Sequence, residues 1–445
     1  MFLLQILAFI LAGITAISFG LEVVVFTFIS IPVAREWNLT GVEYGLLPST
    51  TGVTNIIGGF VYSFMCDSYG RVWPYSLALF HLGIAGLASA FSPNFAVFLV
   101  LRDITSLALP AASGLLFTTF VEFLPVKNRG KVMVSVLIVQ SFGTCITGGL
   151  AWWLIPTYVK KGWRYLVIAA TIPQLMGAVY RLFIFPLQSP RFLIAKGQYK
   201  DARKVFEKMA RLNGKKLDDI LPKGERLEDA VKVRTERKAV CSQFWRSLAA
   251  MFKPPYLTVT ILISIIYVIS TGAYYCSSIF LLKVLIQYGT NPYFASFFGY
   301  LGQIPGILLM SIIVEWHRVG RVNSLRFFTL ITVGSFVLFA FVCNEVATSV
   351  MTIFLYFGMV PQISVLFTYM SEVYPTDIRT TAITFFNSLS AIFDIAVPYF
   401  SGYLSDIRAH WVYPTVWAGF YFLQFVVSLF LRHETLGQHL HDTIT

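Results

Sequence analysis

Long apolar runs, with almost no charge inside them, recur along this chain. Val132 to Ile155 and Ile261 to Leu282 are two of them. A run of about 18 or more apolar residues can cross the hydrocarbon core of a bilayer. In that medium the backbone must satisfy its own hydrogen bonds, which leaves helices as the spanning form. Reading runs between polar breaks predicts twelve helices, at 4–33, 44–65, 73–91, 95–121, 132–155, 164–186, 257–282, 293–314, 323–343, 347–370, 380–404 and 411–431. Charged residues make up only 13% of the chain, against about 25% in a soluble domain. The fold class is therefore an all-α, multi-pass membrane protein. The first run, MFLLQILAFILAG, lacks a basic leader and stays apolar to Pro32, broken mainly by Glu22. It reads as the first span rather than a cleaved signal.

The net charge of +12 is concentrated in one place. Residues 188–255 hold 17 Lys/Arg against 8 Asp/Glu. No platform of stacking aromatics accompanies them, so a cytoplasmic loop beside anionic lipid is preferred to a nucleic-acid surface. This break divides the chain into a six-span half (1–187), the loop (188–255), a second six-span half (256–432) and a short tail (433–445). With the N-terminus inside, inner segments carry 26 Lys/Arg and outer segments 6, and the short loops alone give 9 against 6. Both termini are accordingly expected in the cytoplasm. The glycosylation sequon Asn38-Leu39-Thr40 then falls in the first outer loop. Within the central loop, Ala202, Val205, Phe206, Met209 and Leu212 recur at helical spacing ahead of Asn213-Gly214, which predicts an amphipathic helix beneath the two halves. The cysteines (Cys66, Cys145, Cys241, Cys276, Cys343) have no metal or redox spacing, and no metal or cofactor is expected.

A repeat lies beneath this organisation. EFLPVKNRG (122–130) and EVYPTDIRT (372–380) share E-x-x-P-x-x-x-R at an offset of 250 residues. Gly70-Arg71-Val72 and Gly320-Arg321-Val322 share the same offset. Two pairs on equivalent inner loops argue for a duplicated six-helix unit. Glu122 and Glu372 end their helices where the dipole disfavours a carboxylate, so each wants a cation. Arg71 or Arg129, and Arg321 or Arg379, are the candidates. With Asp67 and Gly70 these residues form an expected inner gate, a latch between the halves. The alternative is simple anchoring, since an exposed ion pair contributes only about 0–1 kcal/mol.

Several stretches, in order, resemble the major facilitator superfamily: LEVVVFTFISIPVAREWNLT, DSYGR, EFLPVKNRG, LQSPRFL, SEVYPTDIR and ETLGQHL. They are most similar to the branch of synaptic vesicle protein 2-related transporters, itself similar to organic ion and sugar porters. Departures accompany the match. Ser68 and Val72 replace arginines of the loop 2–3 motif, Gln188 replaces a glutamate and Leu187 a proline. Arg102 is kept on the fourth helix, but Ser106, Ala108 and Pro110 stand where glycines are usual, and Phe19 where an acid is frequent. The resemblance implies twelve spans in two pseudo-symmetric halves and a secondary transporter working by alternating access.

Ionisable groups inside spans suggest function. Glu22 and Arg102 both fall in the outer halves of their helices, which the resembled fold makes neighbours, so they could pair. Asp103 points about 100° away from Arg102. Asp394 lies somewhat outward of the middle of the eleventh helix. Structural ion pairing, or capping of Asp394 by hydroxyl neighbours, is the alternative. Arg181, near Pro186, is expected to snorkel, and His81 to be peripheral. Asn55, Gln140, Tyr274, Tyr275, Gln303, Gln362 and Asn387 complete a pocket for a medium-sized polar or aromatic-bearing solute, or serve as interhelical glue. The chain has no G-x-x-x-x-G-K-[ST], so a gradient must drive transport, and proton symport is the first candidate because buried carboxylates titrate. The rival reading is a transporter-shaped receptor or vesicle regulator, favoured by the eroded loop 2–3 motif and Gln188. An enzyme is not expected. The host membrane, plasma or vesicle, is not distinguished.

Overall fold

The computed structural model describes residues 3–123, 129–195, 197–214, 240–316, 318–342, 344–374, 376–407, 409–431 and 434–435. Among them every regular element is helical. The first set comprises α1 (Leu3–Glu36), α2 (Gly41–Tyr69), α3 (Val72–Ser89), α4 (Phe95–Phe123), α5 (Arg129–Thr157) and α6 (Gly162–Val179), the last running on as a π-turn over Tyr180–Ile184. Three shorter helices follow, α7 (Pro190–Ala195), α8 (Tyr199–Leu212) and α9 (Val240–Met251). The second long set is α10 (Leu257–Gln287), α11 (Pro292–Ile313), α12 (Gly320–Phe341), α13 (Glu345–Val373), α14 (Thr376–Asp406) and α15 (Val412–Leu429).

Each expected span is found, with ends shifted by up to five residues. Eleven of the twelve long helices are apolar enough to cross a membrane by composition. The twelfth, α2, is diluted by Glu43, Asp67 and a run of Ser, Thr and Gly. A few starts carry side-chain caps. Asn291 precedes Pro292 and its side chain accepts from the amides of Tyr293 and Phe294, while Asn344 accepts from Val346. At α2, Glu43 Oε2 accepts from both the amide and the hydroxyl of Thr40 at 2.8 Å, a capping box.

The described chain falls into two compact units. The first contains 1–22, 54–143 and 167–239, the second 23–53, 144–166 and 240–445. In the first unit, Leu11, Ala12, Ala16, Tyr75, Leu79, Ala112, Leu116 and Phe120 build one core from α1, α3 and α4. Small residues permit the close approaches. Gly58 of α2 lies against the Leu107 backbone of α4, and a Cβ at Gly83 would stand 2.5 Å from Leu175. The amphipathic helix forms as α8. Val205, Met209 and Leu212 pack on this core, and Asn213 Oδ1 accepts from Leu4 N at 3.3 Å.

Arg181 corrects an expectation. It does not snorkel but is fully buried, donating to the carbonyls of Phe185 and, at 3.2 Å, Leu187. The cause is the end of α6, where the helix loosens into a π-turn ahead of Pro186. The guanidinium satisfies carbonyls that continued helix would have bonded.

The second unit joins the ends of α1, α2 and α5 to the second helix set. Gly299, Gly302 and Gly306 line the face of α11 that meets α13, where a Cβ at Gly302 would sit 2.5 Å from the Ile353 carbonyl. Such stripes let helix backbones meet when no hydrophobic force drives association in lipid. A seam links the two sets within this unit. Ser49 Oγ donates to the Ile395 carbonyl at 2.9 Å, Tyr275 OH reaches the Pro48 carbonyl at 3.3 Å, and Gln303 Nε2 bonds Thr144 Oγ1. Rings complete it: Tyr44 lies 5.5 Å from Phe280, Phe28 5.9 Å from Tyr300, and Gly148 against Phe297.

Candidate functional site

The first unit brings together the two charges that the sequence placed at equal depth. Arg102 Nη2 of α4 stands 2.6 Å from Glu22 Oε1 of α1, with side chains 5% and 4% exposed. Gln174 Nε2 of α6 donates to the other carboxylate oxygen at 3.0 Å. A buried charge is tolerated only when paired and hydrogen-bonded, and Glu22 has both. Sequence reading missed Gln174. Its signal was an amide in the middle of an apolar run, which carries no direction by itself. Asn55 is half-buried in the same unit, and its Oδ1 is buried with no hydrogen-bond partner. Gln140 and Asp103 are also half-buried. His81 Nδ1 bonds Tyr62 OH at 2.9 Å.

In the second unit, Asp394 of α14 faces α10. Ser390 Oγ donates to its Oδ2 at 3.3 Å, and Ser390 in turn bonds Thr271 Oγ1 at 2.6 Å. Asp394 Oδ1 is buried and has no hydrogen-bond partner among the described residues. Gly272 lies beside that oxygen; a Cβ there would be 3.6 Å from it. Tyr274, on the same helix, meets the Tyr356 ring edge-on at 6.3 Å, and Tyr356 lies 4.5 Å from Tyr300. The other amides bond between helices. Tyr267 OH donates to Asn387 Oδ1 at 2.5 Å. Gln362 is fully buried and accepts from Thr329 at 3.0 Å and Gln424 at 3.4 Å. Gln303 reaches Thr144 across the seam. These placements favour the interhelical role for Gln303, Gln362 and Asn387.

The duplicated turns share a construction. Gly70 has φ +82° and Gly320 φ +71°, in the left-handed region where a Cβ is penalised. Each turn is held by a side chain from beyond the last helix of its six-helix set. Arg71 N donates to Gln188 Oε1 at 2.9 Å, and Gln188 Nε2 to the Tyr69 carbonyl at 3.3 Å. Arg321 N and Val322 N donate to the two oxygens of Glu434 at 2.8 and 3.0 Å. The second turn thus places a full carboxylate at the start of α12, where the helix dipole welcomes it, and the first has only a neutral amide.

Arg321 also makes a two-pronged pair with Glu372, Nε to Oε2 and Nη2 to Oε1, both at 2.9 Å. The side chains are 12% and 22% exposed. Thr435 Oγ1 donates to the same carboxylate at 2.6 Å. Arg321 therefore ties α12, α13 and the tail of the second half together. The side chains of Asp67, Glu122, Arg129 and Arg379 lie outside the described residues, as does Pro375. Among the described residues no group of three His, Cys, Asp or Glu could hold a metal.

Twelve long helices in two six-helix sets, with one charge pair buried inside the spans, make up the major facilitator fold. The fold is similar to that of the xylose transporter XylE from E. coli in a partially occluded inward open conformation, with a TM-score of 0.74, 15% identity, and coverage of 98% of this chain and 99% of that one. The chain belongs to the family Sugar (and other) transporter, which matches residues 18–443. It is 26% identical over 435 residues to organic cation/carnitine transporter 7 of Arabidopsis thaliana, covering 88% of this chain and 84% of that protein. It is 24% identical over 466 residues to the synaptic vesicle 2-related protein of Xenopus laevis, covering 97% and 79%. Family and fold are those of transporters rather than enzymes.

Proposed function

We propose that the chain is a secondary transporter of a small, positively charged organic solute, worked by alternating access and coupled to a proton. Asp394 carries this reading. Glu22 has its charge met by Arg102 and Gln174, whereas Asp394 has one 3.3 Å contact from Ser390 and a buried oxygen with no hydrogen-bond partner among the described residues. An uncompensated carboxylate inside a span calls for a cation. The similarity to an organic cation/carnitine transporter points to the same solute class.

Glu22 is the proposed coupling carboxylate, released for protonation when Arg102 is drawn away. The seam of the second unit would open and re-form in each cycle, and the Arg321–Glu372 pair, with both partners in the second set, would brace the helix ends of that set rather than latch one set to the other. Charge bias in the short loops supports cytoplasmic termini.

Uptake of radiolabelled tetraethylammonium and carnitine into proteoliposomes, with and without a pH gradient, tests the proposal. Asp394→Asn should abolish cation uptake, and Glu22→Gln should remove its dependence on the gradient. Undiminished uptake by Asp394→Asn would refute the anchoring role. Absence of any uptake by well-folded protein would turn the reading toward a receptor or regulator.

A further inference from the structure

The face carrying the α1–α2, α5–α6, α10–α11 and α12–α13 connections holds a cavity of about 880 Å³, wholly within the second unit. None of the residues assigned to the transport path lines it. Arg35, Glu36, Lys160, Thr290, Tyr293 and Glu345 do, together with proline walls. Its size lies in the range that holds a drug-sized ligand.

The charges in its lining are unequally satisfied. Both carboxylates are engaged. Glu36 accepts from Arg164 Nη2 at 2.5 Å and Trp163 Nε1 at 2.6 Å, and Glu345 accepts from Asn291 N at 3.3 Å. The two cations, Arg35 and Lys160, form no ion pair among the described residues. Thr290 is 3% exposed, and among the described residues its hydroxyl has no hydrogen-bond partner. A buried hydroxyl left unbonded is costly, and a ligand oxygen would relieve it.

We propose that this cavity binds a small organic anion with an aromatic or apolar body. The carboxylate takes the guanidinium of Arg35, the ammonium of Lys160 and the hydroxyl of Thr290, and the body rests on Tyr293 and the prolines. Arg35 and Lys160 belong to the first helix set, Thr290 and Tyr293 to the second. A bound anion therefore adds contacts across the closed seam, and a ligand that prefers one conformation raises its population. Occupancy holds this face shut and slows transport.

Isothermal titration of the purified full chain with benzoate tests the site. Wild type should bind saturably, and Arg35→Ala/Lys160→Ala should weaken binding by at least about ten-fold, the loss of two charge-assisted hydrogen bonds. Should the double variant fold poorly, Arg35→Gln and Lys160→Gln singly should each weaken it about three-fold. Benzyl alcohol, with the same body and no charge, should bind at least about ten-fold more weakly than benzoate. Asp394→Asn should leave benzoate affinity within about two-fold, since a clear gain there, from removing a carboxylate that repels the anion, would place the anion in the transport path and overturn the assignment. No saturable binding, unchanged affinity in the Arg35/Lys160 variants, or sulfate competing as well as benzoate would each overturn it too. The measurement needs no uptake, so it stands whether or not the transport proposal does.

Discussion

Replacing Arg102 with leucine isolates the buried pair on which the coupling proposal depends. In the native protein Glu22, 4% exposed, has a guanidinium at 2.6 Å and an amide at 3.0 Å. Arg102→Leu removes the cation and leaves the carboxylate with Gln174. Breaking a buried pair in this way costs about 3–5 kcal/mol, because one charge is stranded. Removing both charges strands none. Glu22→Leu/Arg102→Leu then loses mainly the Gln174 hydrogen bond, about 1 kcal/mol, and should stand within about 2 kcal/mol of wild type. The two sites should therefore couple by several kcal/mol in a double-mutant cycle. The Glu36–Arg164 pair is the internal reference. Its side chains are 32% and 23% exposed, and breaking it should cost under about 1 kcal/mol. Detergent-driven unfolding in mixed micelles, followed by circular dichroism, gives all the differences on one scale. If Arg102→Leu costs no more than Arg164→Leu, Glu22 holds no desolvated charge and its proposed coupling role fails.

Gly320→Ala should destabilise by about 1–3 kcal/mol, since it forces a side chain into a strained region and sets a Cβ 2.5 Å from the Glu434 carboxyl carbon. Gly334→Ala, in open space within the same helix, should be neutral or stabilise by up to about 1 kcal/mol, and thermal melts compare the two. Gly148→Trp should wedge the seam at Phe297, whose Cα lies 3.1 Å from the Cβ position; uptake should be lost while expression and melting temperature hold. The Thr40 amide and hydroxyl keep the Glu43 carboxyl below its ordinary pKa of 4.5. The capping box is therefore complete at neutral pH and lost as pH falls through that lowered value. Hydrogen exchange at the start of α2 should show this step, and Glu43→Gln should erase it.

The spans were legible because apolar length is a local property, and the two turns because duplication repeats Gly70 at Gly320. Glu22 and Arg102 could be matched by depth, as both lie on runs whose ends are visible. Glu434 escaped notice as a partner because it contacts residues more than 110 positions away, beyond the last apolar run. Gln174 and Gln362 show the same limit from the other side. Each is an amide in an apolar helix, and only the neighbouring helix decides whether it meets a carboxylate, a hydroxyl or a cavity. Arg181 was misplaced because a π-turn leaves no mark in composition.

The closed seam is built from glycines, rings and hydroxyl–carbonyl contacts, with the Lys283 ammonium 5.7 Å from the Tyr44 ring, and among the described residues no ion pair crosses it. Mobile ions screen charges and leave shape untouched. The balance between shut and open on this face should therefore respond only weakly to ionic strength, while the Arg321–Glu372 pair, which ties α12 to α13 within the second set, feels added salt. One protein would then carry two kinds of joint, one that answers to the ions around it and one to the fit of its helices.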